Sequence, residues 1–329
     1  MPALAVSIGD PAGIGPEVIA RAWAARHEQR LPAFFAVGDA RAIAAVWDGP
    51  VQRISDPADA ALLFETALPL IQVDDPGDIV PGSPNLAGAR CALDSLELAV
   101  GLARGGMAGG VVTGPVSKAQ LYAIGFTYPG QTEFVAERCG MAPANAVMML
   151  AGPSLRTVPL TVHVPLADVP RLLTIDLLLA RARITARALV RDFGIARPRL
   201  AFAGLNPHAG EQGTLGREEE DVIRPAIAQL IAEGLDCIGP LPADTMFHAP
   251  RRATYDAALC MYHDQALIPL KTLHFDDGVN VTLGLPLVRT SPDHGTAFDI
   301  AGTGTANPQA MIAAIRMAGD CARRRLLAG

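Results

Sequence analysis

Short apolar runs alternate with longer stretches of helical periodicity along the chain. The apolar runs end in Gly, Pro or Asp turns, which is typical of strand and helix alternation in a largely parallel α/β sheet. The pattern predicts strands at Ala3–Ile8, Phe34–Val37, Gly110–Thr113, Ala146–Leu150, Pro159–Val162, Leu200–Ala203 and Ala257–Met261. It predicts helices at Pro16–Ala25, Ala89–Arg104, Ser117–Ile124, Thr132–Cys139, Ala167–Asp192, Glu218–Glu233 and Pro308–Leu327.

The length and charge of the chain narrow its organisation and its partners. At 329 residues it exceeds what one hydrophobic core usually organises, so we expect two closely joined α/β lobes. Half of the residues are hydrophobic and 18% are charged, as in a folded enzyme. The formal net charge is −6 without a basic stripe, which argues against nucleic acid and favours a small-molecule partner.

The cysteines and the N-terminal segment indicate a compartment. Five cysteines are widely spaced without a C-x-x-C pair, so we expect free thiols rather than disulfides or a thiolate zinc site. The segment MPALAVSIGD lacks the basic region of a signal peptide, and no apolar run reaches transmembrane length. We therefore expect a cytoplasmic protein that does not enter a membrane.

Polar residues gather just after predicted strands, in SIGDPAGIGPE, VVTGPVSK, LTVHVP, FAGLNPHAGE and CMYHDQ. Ligands bind outside the carboxyl ends of strands in open α/β sheets, so we expect these five loops to form one cleft. Three of the loops contain His163, His208 and His263. Histidines at separate strand ends are a usual way to build an open catalytic metal site, although each could instead be a hydrogen-bonded structural residue.

The ligand type also restricts the metal. Imidazole favours zinc or another borderline transition metal. Asp264, directly after His263, is either a residue that orients the imidazole or a helix cap.

Two glycine-rich segments could contact a ligand. The first, GDPAGIGPE at residues 9–17, is a strand-to-helix turn that matches neither the dinucleotide fingerprint nor a Walker loop, and it is equally well explained as a tight turn. The second, SPDHGTAFDIAGTGTANP at residues 291–308, interleaves glycines with hydroxyl, amide and imidazole groups. It is the more specific signal, because the glycines permit close backbone approach to a flat or phosphorylated ligand.

Three polar residues, Lys271, Asn280 and Arg289, recur at intervals of nine in a strand-like region. A cation, an amide and a guanidinium could converge on a phosphate group. The alternative is exposed surface charge.

Several motifs together resemble the 4-hydroxythreonine-4-phosphate dehydrogenase family of pyridoxal phosphate biosynthesis over nearly the whole chain. They are GDPAGIGPE, TGPVSKAQL, PGQTEF, LNPHAGE, PADTMF, MYHDQALIPLK and RTSPDHGTAFDIAGTGTANP. The family resembles isocitrate and isopropylmalate dehydrogenases in fold, and the closing segment is the nicotinamide-dinucleotide loop of those relatives.

This resemblance implies a two-lobed α/β fold with mostly parallel sheets, helices on both faces and an active site in the inter-lobe cleft. We expect residues 1–125 plus 281–329 to form the cofactor-side lobe and residues 126–280 the metal- and dimer-forming lobe. It also implies a homodimer whose active site lies at the subunit interface.

The resemblance assigns roles to single residues. His163, His208 and His263 become ligands of one divalent metal (Zn, Mg or Co), with one of them reaching across the dimer interface. Substrate contacts fall on Gln131, Thr132, Lys271, Asn280 and Arg289, and on Asp244 of the neighbouring subunit. NAD or NADP is assigned to His294, Gly295, Thr296, Asp299, Gly302 and Asn307.

One position departs from the family pattern. The common form is Gly-His-Thr-Glu, and Gln131 stands where that histidine would be. Glutamine can donate a hydrogen bond to a phosphate oxygen but cannot become a cation. Either the histidine is a replaceable anion contact, or this chain prefers a different substrate.

The reaction implied by the resemblance is oxidation of 4-phosphooxy-L-threonine at C3, followed by decarboxylation to 3-amino-2-oxopropyl phosphate. Lys271, Asp244, Asp264 and a metal-bound water are all candidates for the general base. The alternatives are a same-fold dehydrogenase for a phosphorylated threonate, erythronate or dihydrodiol carboxylate, a metal-dependent hydrolase, and a phosphate-ligand binding protein.

Overall fold

The computed structural model describes residues 1–73 and 77–328, and the chain divides into two compact units. Unit 1 comprises Met1–Pro143 and the segment from Leu285 onward, and unit 2 comprises Ala144–Gly284. The chain therefore leaves unit 1 and returns to it. The divisions fall after Pro143 and Gly284, where we had expected them after residues 125 and 280.

The residues just before Pro143 belong to unit 1 because of their packing. Phe134 is 1% exposed and stacks against Phe126 and Tyr128, with ring centroids 5.6 and 5.4 Å away. Arg138 binds Glu97 through Nε at 2.7 and 2.8 Å. These aromatic and ionic contacts are not visible in the periodicity of the segment.

Unit 1 contains parallel strands in the order β3-β4-β2-β1-β5-β12, numbered along the chain. Their bounds are β1 Leu4–Ser7, β2 Phe34–Gly38, β3 Val51–Arg53, β4 Leu68–Gln72, β5 Val111–Thr113 and β12 Arg289–Pro292. The chain crosses from β2 on one side of β1 to β5 on the other. Because β1, β5 and β12 are parallel, the loops that follow them start at the same edge of the sheet. This is the edge at which parallel α/β sheets bind ligands.

Helices connect these strands. Their bounds are α1 Gly15–Ala24, α2 Ala40–Ala44, α3 Ala60–Leu63, α4 Leu86–Arg104, α5 Lys118–Ala123, α6 Gln131–Arg138 and α13 Gln309–Ala328. Helix α1 begins with Pro16 in its first turn, where the missing N–H has no intrahelical partner to lose. It buries Val18, Ile19 and Trp23.

Unit 2 contains strands in the order β11-β6-β7-β10-β8-β9. Their bounds are β6 Val147–Gly152, β7 Leu155–Pro159, β8 Arg199–Ala203, β9 Asp236–Leu241, β10 Ala257–Cys260 and β11 Val279–Leu283. Strand β6 is antiparallel to β7 and β11, and the other pairs are parallel. The α-helices are α7 Val169–Leu172, α8 Ile175–Phe193, α9 Arg224–Ala232, α10 Ala243–Met246, α11 Ala249–Arg252 and α12 His263–Leu273.

Two predicted elements of unit 2 have other bounds in the structure. The apolar run at Pro159–Val162 mostly follows the strand instead of forming it, because β7 pairs with β10 through residues 157–159. The predicted helix Ala167–Asp192 is interrupted where Leu173 is extended, and Thr174 caps α8 by accepting a hydrogen bond from Leu177 N at 3.1 Å.

Two further features of unit 2 were misplaced or missed. The predicted helix Glu218–Glu233 begins as a π-helix at Glu219–Ile223. Helix α12 was missed, because it contains Pro269 within a segment that reads as broken and strand-like.

The expected α/β architecture of mostly parallel strands with connecting helices is confirmed. None of the five cysteines, all of which lie in the described residues, forms a disulfide, and four of them are buried. No helix in the described part of the chain is long and apolar enough to cross a bilayer.

Candidate active site

The loops after β1, β5 and β12 meet in unit 1. Asp10 N donates to Pro115 O at 2.9 Å, and Ile14 N donates to Thr296 O at 2.9 Å. Gly9 has a φ of 71°, and a Cβ there would lie 2.2 Å from Pro115 O. A side chain at this position would separate the loops, so the first glycine of GDPAGIGPE is required by the close approach of the two backbones.

A buried arginine lies at the end of β5 in unit 1. Arg289 is 3% exposed and its Nη2 donates to Thr113 Oγ1 at 2.6 Å. Burial lowers the pKa of Arg289 to about 10, while the charge of Glu133 opposes that shift. The guanidinium therefore stays charged at neutral pH in a buried position, which is the chemistry that suits an anionic ligand.

The N-terminus of α6 lies beside the same strand. Gln131 is the first residue of α6, and its Nε2 donates to Gly114 O at 3.2 Å. A Cβ on Gly130 would lie 3.2 Å from Glu133 Oε2 and 3.9 Å from Lys118 Nζ. The structure thus places Gln131 and Thr132 where the free N–H groups of a helix start, which suits a phosphate group.

The predicted cofactor residues lie along the loop after β12 and at the start of α13. His294 Nδ1 lies 3.0 Å from Gly295 O, and its buried Nε2 has no hydrogen-bond partner among the described residues. Asp299 is exposed. Gly302 has a φ of 76°, and Asn307 Oδ1 accepts from Gln309 N at 3.0 Å, at the start of α13. These residues form one continuous glycine-containing loop.

In unit 2 the three predicted metal ligands follow β7, β8 and β10, which are adjacent parallel strands with β10 in the middle. The rings of His163 and His263 lie 5.4 Å apart, centroid to centroid. They line a cavity of about 220 Å³ together with Thr161, Tyr262 and Asp264. No cluster of three His, Cys, Asp or Glu residues within residues 1–73 and 77–328 is arranged to hold a metal ion, so His208 does not join this pair.

His208 lies in a loop with unusual backbone geometry. Its φ is 53°, and Ala209, Gly210, Glu211 and Gln212 also have positive φ values. His163 has a φ of 53° as well. Residues other than glycine rarely adopt this conformation, and where they do it often marks a functional site.

A buried carboxylate shapes this loop. Glu219 is 0% exposed and accepts hydrogen bonds from Asn206 N at 2.7 Å and from Asn206 Nδ2 at 2.9 Å. A Cβ on Gly210 would lie 2.5 Å from Glu219 Oε2, so the glycine makes room for the carboxylate. The sequence prediction missed Glu219 as a site residue, although the run LNPHAGE followed by four acidic residues was visible.

The histidine environments fit a metal. His263 Nδ1 lies 2.7 Å from Asp264 Oδ1, and His208 Nδ1 lies 2.6 Å from Glu211 Oε1. A carboxylate at Nδ1 fixes the ring and leaves Nε2 available, which is the usual environment of a histidine ligand. The hydrogen bond to Glu211 raises the pKa of His208, and the charge of Asp244 adds to this effect.

The remaining predicted substrate residues also lie in unit 2. Asp244 is exposed in the first turn of α10, and Lys271 lies in the last turn of α12. Asn280 lies on β11 opposite Leu150, and its buried Oδ1 accepts no hydrogen bond from the described residues. An unsatisfied buried amide oxygen is a candidate for a ligand contact.

Comparison with known proteins identifies relatives over the full chain. A protein from Erythrobacter litoralis named 4-hydroxythreonine-4-phosphate dehydrogenase is 60% identical, covering 98% of this chain and 97% of its own. One of the same name from Zymomonas mobilis is 57% identical, covering 99% and 97%.

Solved structures agree with these relatives. The 4-hydroxythreonine-4-phosphate dehydrogenase of Klebsiella pneumoniae superposes with a TM-score of 0.87 at 36% identity, covering 97% of this chain and 98% of its own. A terephthalate 1,2-cis-dihydrodiol dehydrogenase from Burkholderia xenovorans superposes with a TM-score of 0.67 at 31% identity, covering 96% and 98%.

The family model described as pyridoxal phosphate biosynthetic protein PdxA matches residues 30–318. This match spans most of both units, including the histidine loops and the loop after β12. The chain therefore belongs to the PdxA family.

Proposed function

We propose that this protein oxidises 4-phosphooxy-L-threonine at C3 with NAD or NADP and releases 3-amino-2-oxopropyl phosphate and CO₂. The observation that carries the proposal is the buried guanidinium of Arg289 beside the start of α6. We interpret this arrangement as a preformed binding site for a phosphate group. The names of the relatives that are 60% and 57% identical support the same substrate. Membership of a pyridoxal phosphate biosynthetic family supports the pathway.

Substrate orientation begins at the phosphate. The charge of Arg289 and the free N–H groups at the start of α6 bind the phosphate oxygens, and Gln131 and Thr132 add neutral donors. Lys271 and Asn280, which lie in unit 2, are assigned to the substrate by the family resemblance alone. Holding the phosphate fixes the position of C3 relative to the protein, which is a positioning contribution to catalysis.

The chemistry at C3 needs a hydride acceptor and a proton acceptor. A nicotinamide cofactor held by residues 294–307 would supply the hydride acceptor for the C3 hydrogen. The hydroxyl proton goes to a base of the protein, and after the C1 carboxylate is lost as CO₂, C2 takes up a proton. Asp264 is held by His263 and acts as an orienting residue, so Lys271 and Asp244 are the stronger candidates for the base.

We assign the metal to His163, His208 and His263. A divalent ion bound there would supply Lewis-acid stabilisation of negative charge on the substrate oxygen. His163 and His263 form one half of the site within a subunit. The charge of Asp244 contributes to the raised pKa of His208, so the two side chains lie in the same region. The family resemblance assigns Asp244 to the neighbouring active site. We therefore infer that His208 and Asp244 act together in the partner's site of a homodimer.

The metal assignment is tested by metal content. His208→Ala and His263→Ala should each lose bound divalent metal after dialysis against a metal-limited buffer. His248→Ala, which changes an exposed histidine that is not among the assigned ligands, is the matched control and should retain it. Undiminished metal in both site variants would exclude the assignment.

Gln131 favours a second candidate function. It replaces the usual histidine at a substrate position, and a structural relative at 31% identity is named for a dihydrodiol substrate that carries no phosphate. A same-fold dehydrogenase acting on a dihydrodiol carboxylate is therefore the alternative.

The two functions are separated by steady-state rates with purified protein, both nicotinamides and a panel of divalent metals. The proposal predicts reduction of NAD or NADP with 4-phosphooxy-L-threonine and a much lower kcat/KM for a cis-dihydrodiol carboxylate. The reverse order would establish the alternative.

A further inference from the structure

The strand-to-helix motif GDPAGIGPE continues into α1, and two charged residues of that helix contact the loop after β12. Glu17 is 1% exposed, and its Oε1 accepts a hydrogen bond from Ala306 N at 3.2 Å. Arg21, one turn later, donates from Nη1 to Gly304 O at 3.0 Å and to Ala306 O at 2.7 Å. The N–H and the C=O of Ala306 are therefore both held by side chains of α1.

The two side chains are also held to each other. Arg21 Nη1 lies 3.4 Å from Glu17 Oε1, which makes an i,i+4 ion pair on α1. Glu17 Oε2 is buried and has no hydrogen-bond partner among the described residues. Burying a carboxylate oxygen without a hydrogen bond costs free energy. We attribute the presence of Glu17 at this position to the hydrogen bond that its other oxygen accepts from Ala306 N.

The same motif holds the other end of the loop. Ile14 N donates to Thr296 O at 2.9 Å, and a Cβ on Gly13 would lie 2.8 Å from that oxygen. The loop is thus fixed to the start of α1 at Thr296 and again at Gly304–Ala306. Between these points lie Asp299 and Gly302, two of the residues to which we assign the cofactor.

We propose that Glu17 and Arg21 are positioning residues that hold the 303–307 backbone in the conformation that binds the nicotinamide cofactor. This inference rests on the proposed function of the loop. It also gives the motif GDPAGIGPE a role that its sequence leaves open. Ile14, Glu17 and Arg21 together hold the loop after β12 in place, and we call these three residues the clamp. The clamp acts on cofactor affinity, because an ordered loop has less conformational freedom to lose on binding.

Arg21→Ala is the primary test, because the Arg21 side chain is 41% exposed. The control is Arg26→Ala: Arg26 also lies near α1, donates from Nη1 to Trp23 O at 3.1 Å and stacks on Trp23, without touching the loop. The dissociation constant of NADH or NADPH is measured by fluorescence titration, and the exchange of the Ala306 amide by hydrogen–deuterium exchange on peptides spanning residues 302–308.

Arg21→Ala should weaken cofactor binding and speed exchange by about tenfold each, as expected for lost hydrogen bonds from a charged donor. kcat at saturating cofactor should stay within about twofold, because the clamp does not touch reacting atoms. Arg21→Lys keeps the charge and should restore part of the affinity, and Arg26→Ala should change neither quantity. Glu17→Gln provides a second variant and should also speed exchange.

The outcomes that overturn the inference are distinct. A cofactor dissociation constant within twofold of wild type in Arg21→Ala overturns it, whether or not exchange is faster. Weaker cofactor binding with unchanged exchange overturns it as well, because the arginine would then contact the cofactor directly. Wild-type protein that binds neither nicotinamide overturns the proposed function along with the inference.

Discussion

The imidazole rings of His163 and His263 lie 5.4 Å apart, although they follow different strands of unit 2. Strands β7 and β10 are parallel neighbours, so the loops that begin at their carboxyl ends start side by side. His208 follows β8 on the other side of β10 and lies in a strained loop instead of beside the pair. This arrangement is the reason why we assign His208 to the active site of the partner subunit and call the metal site shared.

The shared site predicts complementation between inactive variants. His208→Ala and His263→Ala should each be inactive as homodimers. Mixed dimers combine the intact His263 of one subunit with the intact His208 of the other, so one of their two sites is complete. Unfolding and refolding an equal mixture should restore about one quarter of wild-type turnover, because half of the dimers are mixed.

The matched control is a mixture of His163→Ala and His263→Ala. These residues lie on the same half of the site, so every mixed dimer has two damaged sites and should stay inactive. Recovery in this control, or none in the first mixture, would contradict the account.

Arg289 should determine the affinity for phosphorylated substrates. Arg289→Met removes a buried cation while keeping an unbranched side chain of similar length, so KM should rise by about 10- to 100-fold. The cofactor dissociation constant should stay within about twofold. An unchanged KM would exclude Arg289 from the phosphate site.

Inorganic phosphate should stabilise the wild-type protein more than Arg289→Met. Burial lowers the pKa of Arg289, which means that burying the charged guanidinium costs free energy in the folded protein. A bound anion offsets this desolvation cost and so stabilises the folded state. The measurement is Tm across a phosphate series, with a chloride series at matched ionic strength. Equal shifts in both proteins would contradict this prediction.

Gln131→His should change kcat/KM for 4-phosphooxy-L-threonine by no more than about threefold, because the charge of Arg289 already supplies most of the anion binding. Gln131 Nε2 donates a hydrogen bond to Gly114 O, which fixes the position of the glutamine side chain in the site. A gain above about tenfold would mean that the natural residue disfavours this substrate, and it would favour the dihydrodiol alternative.

Glu219 should stabilise the His208 loop through its two hydrogen bonds with Asn206. Both partners are donors, so Glu219→Gln would turn one of these contacts into a donor facing a donor. We expect a loss of about 1–3 kcal/mol in the free energy of unfolding, measured with urea. The control is Glu220→Gln, which removes a partly exposed ion pair with Arg224 and should cost less than about 1 kcal/mol. Equal losses would contradict a special role for Glu219.

The α/β architecture was predictable because buried strands and amphipathic helices leave clear periodicities. The histidine loops were predictable for the same reason, since each begins close to the end of an apolar run. The predicted strand Pro159–Val162 was wrong because apolar character continues past the last paired residue. Helix α12 was missed because Pro269 reads as a break.

The contacts that shape the site could not be read from periodicity. Glu17 and Ala306 are 289 positions apart, and Arg289 and Thr113 are 176 apart. Such pairs are determined by strand order, which places β1, β5 and β12 side by side. The left-handed conformation of His208 was equally hidden, because hydrophobic periodicity carries no information on the backbone of a loop.

Oxidation at C3 of a phosphorylated hydroxy-amino acid can be followed directly by isotope transfer. Purified protein with divalent metal, NAD or NADP and 4-phosphooxy-L-threonine deuterated at C3 should produce deuterated NADH or NADPH and an equal amount of CO₂, detected by mass spectrometry. Reduced cofactor without deuterium, or no reduced cofactor under conditions where the protein is folded and metal-loaded, would contradict the account.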